Sequence, residues 1–438
     1  MHTLGVCCGY TQTLTTVVTE RNKDMEHILK SSRFNSINLE TMQPSKNLYE
    51  LDISLWVLYR SIAQANTAQA AKHLGVSKSA AKELSLACDS RLPRLGSGIL
   101  LSFSLKADKN EALGYIENAR INSNCQLPSL LSPNSQLSYR LENILYERYW
   151  RVMRDLSVLE GIKTAALAFG VDPDITAQVA ELSDGELSRL SKSCTMRFQL
   201  RFNGETLSQL LLRENIAHHS LLRYQQALSS TVTHLNKPGR STVYAVEAEL
   251  EDQPKPATLK SYSPNWIKAK HLASIGFIAR ALQIETGISQ KQVVRLRGEI
   301  RDEGIELPSA SAKLRSGSLI RDYISSIQAS LIMLCYHKYG GKNAGQNINI
   351  DALVSAFILY HKVRNEIGMN PHRWKIIDPN AGYSLARELR GDGIDTQAYF
   401  ENCDTCDASI FISTNQLINH DERCPFCRIK DAEKIKAA

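Results

Sequence analysis

The sequence has no apolar run long enough to cross a bilayer: stretches such as LIMLCY at 331–336 and VSAFILY at 354–360 fall far short of the roughly 20 residues a membrane helix needs. Its start, MHTLGVCCGYTQTLTTVVTERNKD, lacks a basic beginning followed by an unbroken apolar stretch. A secretory signal is therefore not expected, no membrane partner is implied, and a cytoplasmic location is. There is no Gly-rich phosphate loop, no H-E-x-x-H and no G-x-S-x-G, so no catalytic constellation stands out and the chain does not read as an enzyme. Of the ten cysteines, six (7, 8, 88, 125, 194 and 335) are scattered without a pairing rhythm. That spacing speaks against a disulfide framework and leaves the last four, which are clustered, as metal ligands.

What is present is an ordinary globular composition, 43% hydrophobic and 22% charged, in a 438-residue chain with room for two to four domains. The net charge of +7 is unevenly placed: residues 260–321 hold eleven Lys or Arg against five Asp or Glu. A local basic excess suggests a polyanion such as nucleic acid, although a solvated helix surface has the same composition.

Residues 1–45 are polar and without periodicity, so disorder is expected there, and Met25 or Met42 could serve as the start. From residue 46 to 106 the apolar residues fall at helical spacing and end in an alternating segment, ILLSFSLK, that suits a strand. A second stretch within 139–235 matches the first at an offset of 95. Ala70, Ala71, Gly75, Val76, Asp89, Leu92, Arg94, Leu95, Phe103 and Leu105 meet Ala165, Ala166, Gly170, Val171, Asp184, Leu187, Arg189, Leu190, Phe198 and Leu200, ten identities in thirty-six ungapped positions. This reads as a tandem duplication of one small helical domain. Residues 107–138 read as a connector whose first half could extend a helix, and the Pro-containing, charged stretch at 236–262 reads as a second linker.

Within 263–398, KHLASIGFIARALQIETGISQKQVVRLRGEIRDEG has the layout of a helix-turn-helix. Gly287 is expected to end one helix, and Ser289 to cap the next with Gln292 closing a capping box. Val293, Leu296 and Ile300 form the buried stripe, leaving Lys291, Arg295 and Gly298 on the opposite face and Arg297 and Arg301 beside it. The expected DNA contacts are Lys291, Gln292, Arg295 and Arg301; a plain helical hairpin would show the same spacing. Further on, Ile320, Ile327, Leu331, Leu334, Leu353, Phe357 and Val363 read as core of helices near 318–339 and 351–367. Cys335, His337, His361 and His372 read as packed or solvated.

Residues 399–430 contain C-x2-C-x17-C-x2-C through Cys403, Cys406, Cys424 and Cys427, with a strand-like SIFIST between the pairs. Two such knuckles bring four thiolates to the corners of a tetrahedron around zinc. Four protein ligands leave no open position for water, so the site reads as structural, with one zinc ion per chain. A redox dithiol and a site in which His420 replaces one cysteine are the alternatives. A basic tail follows at 431–438.

From about Ile267 to Arg428 the chain resembles the flagellar master regulator FlhC and its relatives that activate transfer genes of conjugative elements. The resemblance rests on ASIGFIARALQIETGISQKQVVRLRGEIR, on YSLARELRGDGIDTQAYFENCDTC and on CPFC with its basic tail. It implies one zinc held by the four cysteines. The duplicated unit is similar in pattern to FlhD, the partner subunit, through AKHLGVSKSAAKEL and MRFQLRF. The family complex combines two FlhD chains per FlhC, so this chain looks like an FlhD-FlhD-FlhC fusion whose homodimer would reproduce a ring of four and two.

The expected fold is mainly α: tandem small helical domains with short strands, then a helical domain with a helix-turn-helix and a C-terminal zinc-ribbon-like module. The resemblance implies a transcriptional activator that binds promoter DNA and recruits RNA polymerase to flagellar or conjugative-transfer genes. The rival reading is a zinc-stabilised adaptor that binds protein partners without sequence-specific DNA recognition.

Overall fold

A computed structural model describes residues 42–121, 133–193, 197–212, 217–229, 264–304, 307, 319–346, 348–369, 374, 377–389, 398–414, 416 and 424–428, with backbone alone at 42–45, 133–142, 197, 217–218 and 342–343. The segment 1–41, both expected linkers' central parts and the basic tail lie outside these residues. The described chain is mainly helical, with two two-stranded antiparallel sheets. No helix among the described residues is long and apolar enough to cross a membrane. Two compact units are present, one containing 247–313 and the other containing 40–246 and 314–438.

The larger unit begins with α1 (Met42–Ala65), α2 (Thr67–Leu74), α3 (Lys78–Leu86), α4 (Leu92–Leu95), β1 (Phe103–Lys106) and α5 (Lys109–Ile121). It continues with α6 (Pro133–Glu160), α7 (Ile162–Phe169), α8 (Pro173–Ala180), α9 (Asp184–Ser193), β2 (Arg197–Leu200), α10 (Gly204–Leu212) and α11 (Ala217–Ser229). Helices α2, α3 and α5 start 95 residues before α7, α8 and α10. The local causes repeat as well. Gly75 and Gly170 both end a helix in the left-handed conformation, at φ 71° and 66°. Ser77 and Asp172 both cap the next helix, each accepting a hydrogen bond from a first-turn amide.

β1 and β2 pair in antiparallel register, Phe103 with Leu200, Ser104 with Gln199 and Leu105 with Phe198. Because Gln199 is Ser104 plus 95, the ladder maps onto itself about its Ser104–Gln199 rung. Packing is reciprocal too: α5 lies on α8 and α9, whereas α10 lies on α3 and α4. Lys109 at the start of α5 pairs with Asp172 and Asp174 at the head of α8. The equivalent Gly204 at the start of α10 sits against Val76, Ser77 and Ala80 at the head of α3. One continuous apolar core, from Leu48 through Phe103, Trp150 and Phe198 to Leu211, serves both segments. Tyr59 stacks on Phe103 and Tyr146 on Phe198. Thus α5, in the first half of the 107–138 connector, is a core helix with Ala112, Ile116 and Ala119 buried.

The C-terminal part of this unit contributes α15 (Tyr323–Gly340), a 3-10 turn (Gly341–Gly345), α16 (Ile350–Ile367), α17 (Pro379–Leu389), β3 (Ala398–Asn402) and β4 (Ser409–Ser413), numbered to leave α12–α14 for the smaller unit that precedes them. Ile320, Ile327, Leu331, Leu334, Leu353, Phe357 and Val363 are buried, as the sequence pattern predicts, and so are Cys335 and His361. α11 joins these helices to the N-terminal segments. Tyr224 donates to Glu366 at 2.7 Å and lies 2.8 Å from the Ser97 hydroxyl, and Glu366 accepts from the Gly98 amide at 3.2 Å. Behind them, buried Asp52 accepts from the Ser97 and Ser102 amides and the Ser102 hydroxyl.

In the smaller unit, α12 (Pro264–Ile275), α13 (Ala279–Thr286) and α14 (Gln290–Asp302) pack around Trp266, Leu272, Phe277, Leu282, Ile288, Val293, Leu296 and Ile300, all buried. Gly287 ends α13 at φ 69°. Ser289 and Gln292 form the reciprocal capping box at the head of α14.

Arg201 makes the two C-cap glycines inequivalent. Its guanidinium, buried beside Gly170, donates to the carbonyls of Leu101, Leu167, Ala168 and Ala227 at 2.8–3.1 Å. A Cβ on Gly170 would lie 2.6 Å from Arg201 Nε, whereas one on Gly75 would meet nothing within 4 Å. Gly75→Ala should therefore cost about 1 kcal/mol, the left-handed backbone penalty alone. Gly170→Ala should cost at least about 3 kcal/mol, because charged hydrogen bonds worth about 1.5–3 kcal/mol each must also shift. Denaturant unfolding of the two variants measures the gap, and equal losses would contradict this account of Arg201.

Candidate metal centre and basic helix

β3 leads directly into the first cysteine pair and β4 leads out of it. The turn between them is closed by the Cys403 amide donating to Ala408 and the Asp407 amide donating to Cys403, at 3.0 and 2.8 Å. Asp407 takes φ 55°, a left-handed value that short polar side chains tolerate better than most. The second pair opens a helical turn at 425–428, in which the Cys427 amide donates to Cys424 Sγ at 3.2 Å. All four Sγ atoms of Cys403, Cys406, Cys424 and Cys427 lie within 4.8 Å of one another and could hold a metal ion. The Cys406–Cys424 and Cys403–Cys427 separations are 3.5 and 3.8 Å, and all four cysteines are free rather than disulfide-bonded. His420 lies outside the described residues.

Crowding four thiols makes their ionisation unequal. The hydrogen bond from Cys406, with the Cys427 amide adding to it, draws Cys424 down to about 6 despite burial. Burial and the neighbouring Cys424 push Cys427 up to about 12, and Cys406 is raised further, first by its hydrogen bond to Cys424. Thiolates this close to one another repel, so holding all four ionised needs a cation between them, a charge that a divalent ion at the centre of the four sulfurs would supply.

The cysteine module is fastened to the larger unit by polar side chains. Gln225 and Gln226 of α11 donate to the carbonyls of Ser409 and Cys406. Ser229 accepts from the Ser409 amide at 3.3 Å, and Ser330 of α15 from the Phe411 amide at 3.0 Å. Arg428 donates to the Tyr323 hydroxyl, its guanidinium 4.7 Å from that ring centre. Sequence reasoning missed these anchors. Arg428 is half-buried at this contact; Arg423, Lys430, Lys434 and Lys436 lie outside the described residues.

On α14, Val293, Leu296 and Ile300 face inward at 1% exposure or less. Lys291 and Arg301 are exposed. Gln292 is occupied, its side-chain oxygen accepting from the Ser289 amide at 2.7 Å. Arg295 pairs with Glu299 at 3.0 Å and lies over the Trp266 ring. The four residues expected to contact DNA thus share one helix, but two of them already have intramolecular work. Val294 is 65% exposed on the same side, a position that charge patterning does not single out.

No family model matches the chain, and no curated protein matches it.

If the four thiols hold one ion, Cys406→Ser or Cys424→Ser should reduce bound metal, measured by mass spectrometry of the purified protein, from about one ion per chain to well below that. Hydrogen exchange at the Ser409 and Phe411 amides should rise in parallel, while Cys88→Ser changes neither. Full metal content in both variants would contradict the assignment.

Proposed function

We propose that this chain is a zinc-stabilised, DNA-binding transcriptional activator of the FlhC kind that carries its own FlhD-like pair. The observation that carries the reading is α14: a helix with a complete capping box, a fully buried inner stripe, and an outward side bearing Lys291 and Arg301. This is the construction a helix-turn-helix needs to present a helix to the major groove. Residues 264–304 hold seven Lys or Arg and four Asp or Glu, a local net charge of 7 − 4 = +3. A metal held by the four cysteines would be zinc. A tetrahedral site with Zn–S bonds of about 2.3 Å has S–S edges of about 3.8 Å, close to the two separations found. Cys403, Cys406, Cys424 and Cys427 would hold the ion, whose role is structural.

The tandem-duplication reading is supported by the 95-residue offset of the helix starts, the self-mapping ladder and the reciprocal packing of α5 and α10. In this reading the two FlhD-like segments form an intramolecular pair that carries the FlhC-like part. Two chains then associate, and the assembly bends promoter DNA and contacts RNA polymerase at flagellar or conjugative-transfer genes.

One observation favours the adaptor alternative: Gln292 and Arg295 are engaged within the unit, which thins the surface left for DNA. Binding measured by fluorescence anisotropy across a salt series separates the two. The activator binds selected duplexes far more tightly than random ones, with log K falling linearly against log salt. Lys291→Ala and Arg301→Ala should each reduce that slope by about 1 while leaving the mass in solution unchanged. Equal, weak binding to every duplex would leave the adaptor reading standing.

A further inference from the structure

We propose that Val294 reads the methyl group of a thymine in the major groove and so sets part of the sequence preference of α14. This deepens the DNA-binding reading above and rests on it. With Val293, Leu296 and Ile300 buried, a turn of 100° per residue places Lys291, Val294, Arg295 and Gly298 on the outward arc. Val294 is 65% exposed there. Nothing about the helix itself asks for it: a β-branched residue loses side-chain freedom in a helix, and its isopropyl group is left in water.

Its neighbours narrow what it can do. Gln292 accepts the Ser289 amide, and Arg295 is held by Glu299 at 3.0 Å and by the Trp266 ring at 5.8 Å, so two polar side chains that could read a base edge are tied to the protein. Gly298, one turn beyond Val294, contributes no side chain, and a Cβ added to it would meet nothing within 4 Å. No packing constraint requires a glycine there. Its effect is to keep the outward side thin, so that a groove wall can approach Val294 closely. Lys291, one turn before, and Arg301, on the same flank two turns on, frame this apolar spot with charge suited to phosphates. Thymine's C5-methyl is the apolar feature that the major groove offers, and an aliphatic side chain is its partner. The same basic frame disfavours an apolar protein surface as the occupant.

The test uses the full-length protein and a duplex library with a randomised centre. The most enriched duplex is then remade with deoxyuridine replacing each thymine in turn, which removes the methyl and keeps the base pairing. At one position the wild-type protein should lose about fourfold in affinity, the worth of one buried methyl-sized group. Val294→Ala, which retains or raises helicity by circular dichroism, should lose a similar factor on the thymine duplex and become indifferent to uracil at that position. An enriched duplex with no uracil-sensitive position, or a sensitivity that Val294→Ala leaves intact, overturns the thymine contact and spares the DNA reading. No enrichment at all overturns both. A Val294→Ala protein that binds the duplex normally but changes mass in solution assigns the residue to a protein interface, and the proposal fails.

Discussion

The larger unit depends on the four-rung ladder between β1 and β2. Two strands this short are marginal by themselves. What holds them is the aromatic layer: Phe103 and Phe198 are fully or nearly fully buried, each stacked by a tyrosine from a long helix. The Tyr59 hydroxyl adds a bond to the Phe198 carbonyl, across 139 residues of sequence. Since the core is continuous through both segments, the strands cannot separate without opening it. The ladder fixes where α5 and α10 leave, and those helices land on the opposite segment.

Beyond this base, buried polar groups join the apolar core of α15 and α16 in fixing how the later elements sit. Arg201 gathers four carbonyls from the stretch just before β1, from α7 and from α11. Burial pulls its guanidinium down to about 10, still charged at neutral pH. Gln225 and Gln226 then hold the cysteine turn in place through its main chain. A metal at the four sulfurs would thus constrain the same short stretch, 403–409, that the glutamine hydrogen bonds from α11 already hold from the other side. Buried polar groups of this kind are costly when half-satisfied and specifying when complete.

Features whose cause is local were legible in the sequence. Gly287, Ser289 and Gln292 define a helix end and start by their own chemistry, and the inner stripe of α14 follows from 3.6-residue spacing. The cysteine pairs were legible because ligand spacing is itself the signal. α5 was only half legible: its buried side is two alanines and one isoleucine, too thin a stripe to separate a core helix from a solvated one. The anchors Arg201, Gln225 and Gln226 were not legible at all. Apolar periodicity assigns such residues to the outside, and only the tertiary arrangement supplies the carbonyls that make their burial acceptable. The ten identities at an offset of 95 were legible in the sequence, but the pairing of the two strands was not, because a ladder between remote segments leaves no mark in either one.

The self-mapping ladder has a consequence for how the pair is populated. Two separate chains meeting through the same strands would associate to a degree set by their concentration. Here both halves belong to one chain, so the encounter is intramolecular and dilution does not undo it. A single chain also allows the two halves to differ in sequence. The Asp52–Ser97–Ser102 group that backs the Tyr224–Glu366 contact has Glu147, Lys192 and Arg197 at the positions 95 residues on. The seat used by the C-terminal helices is therefore written once, in the first segment alone.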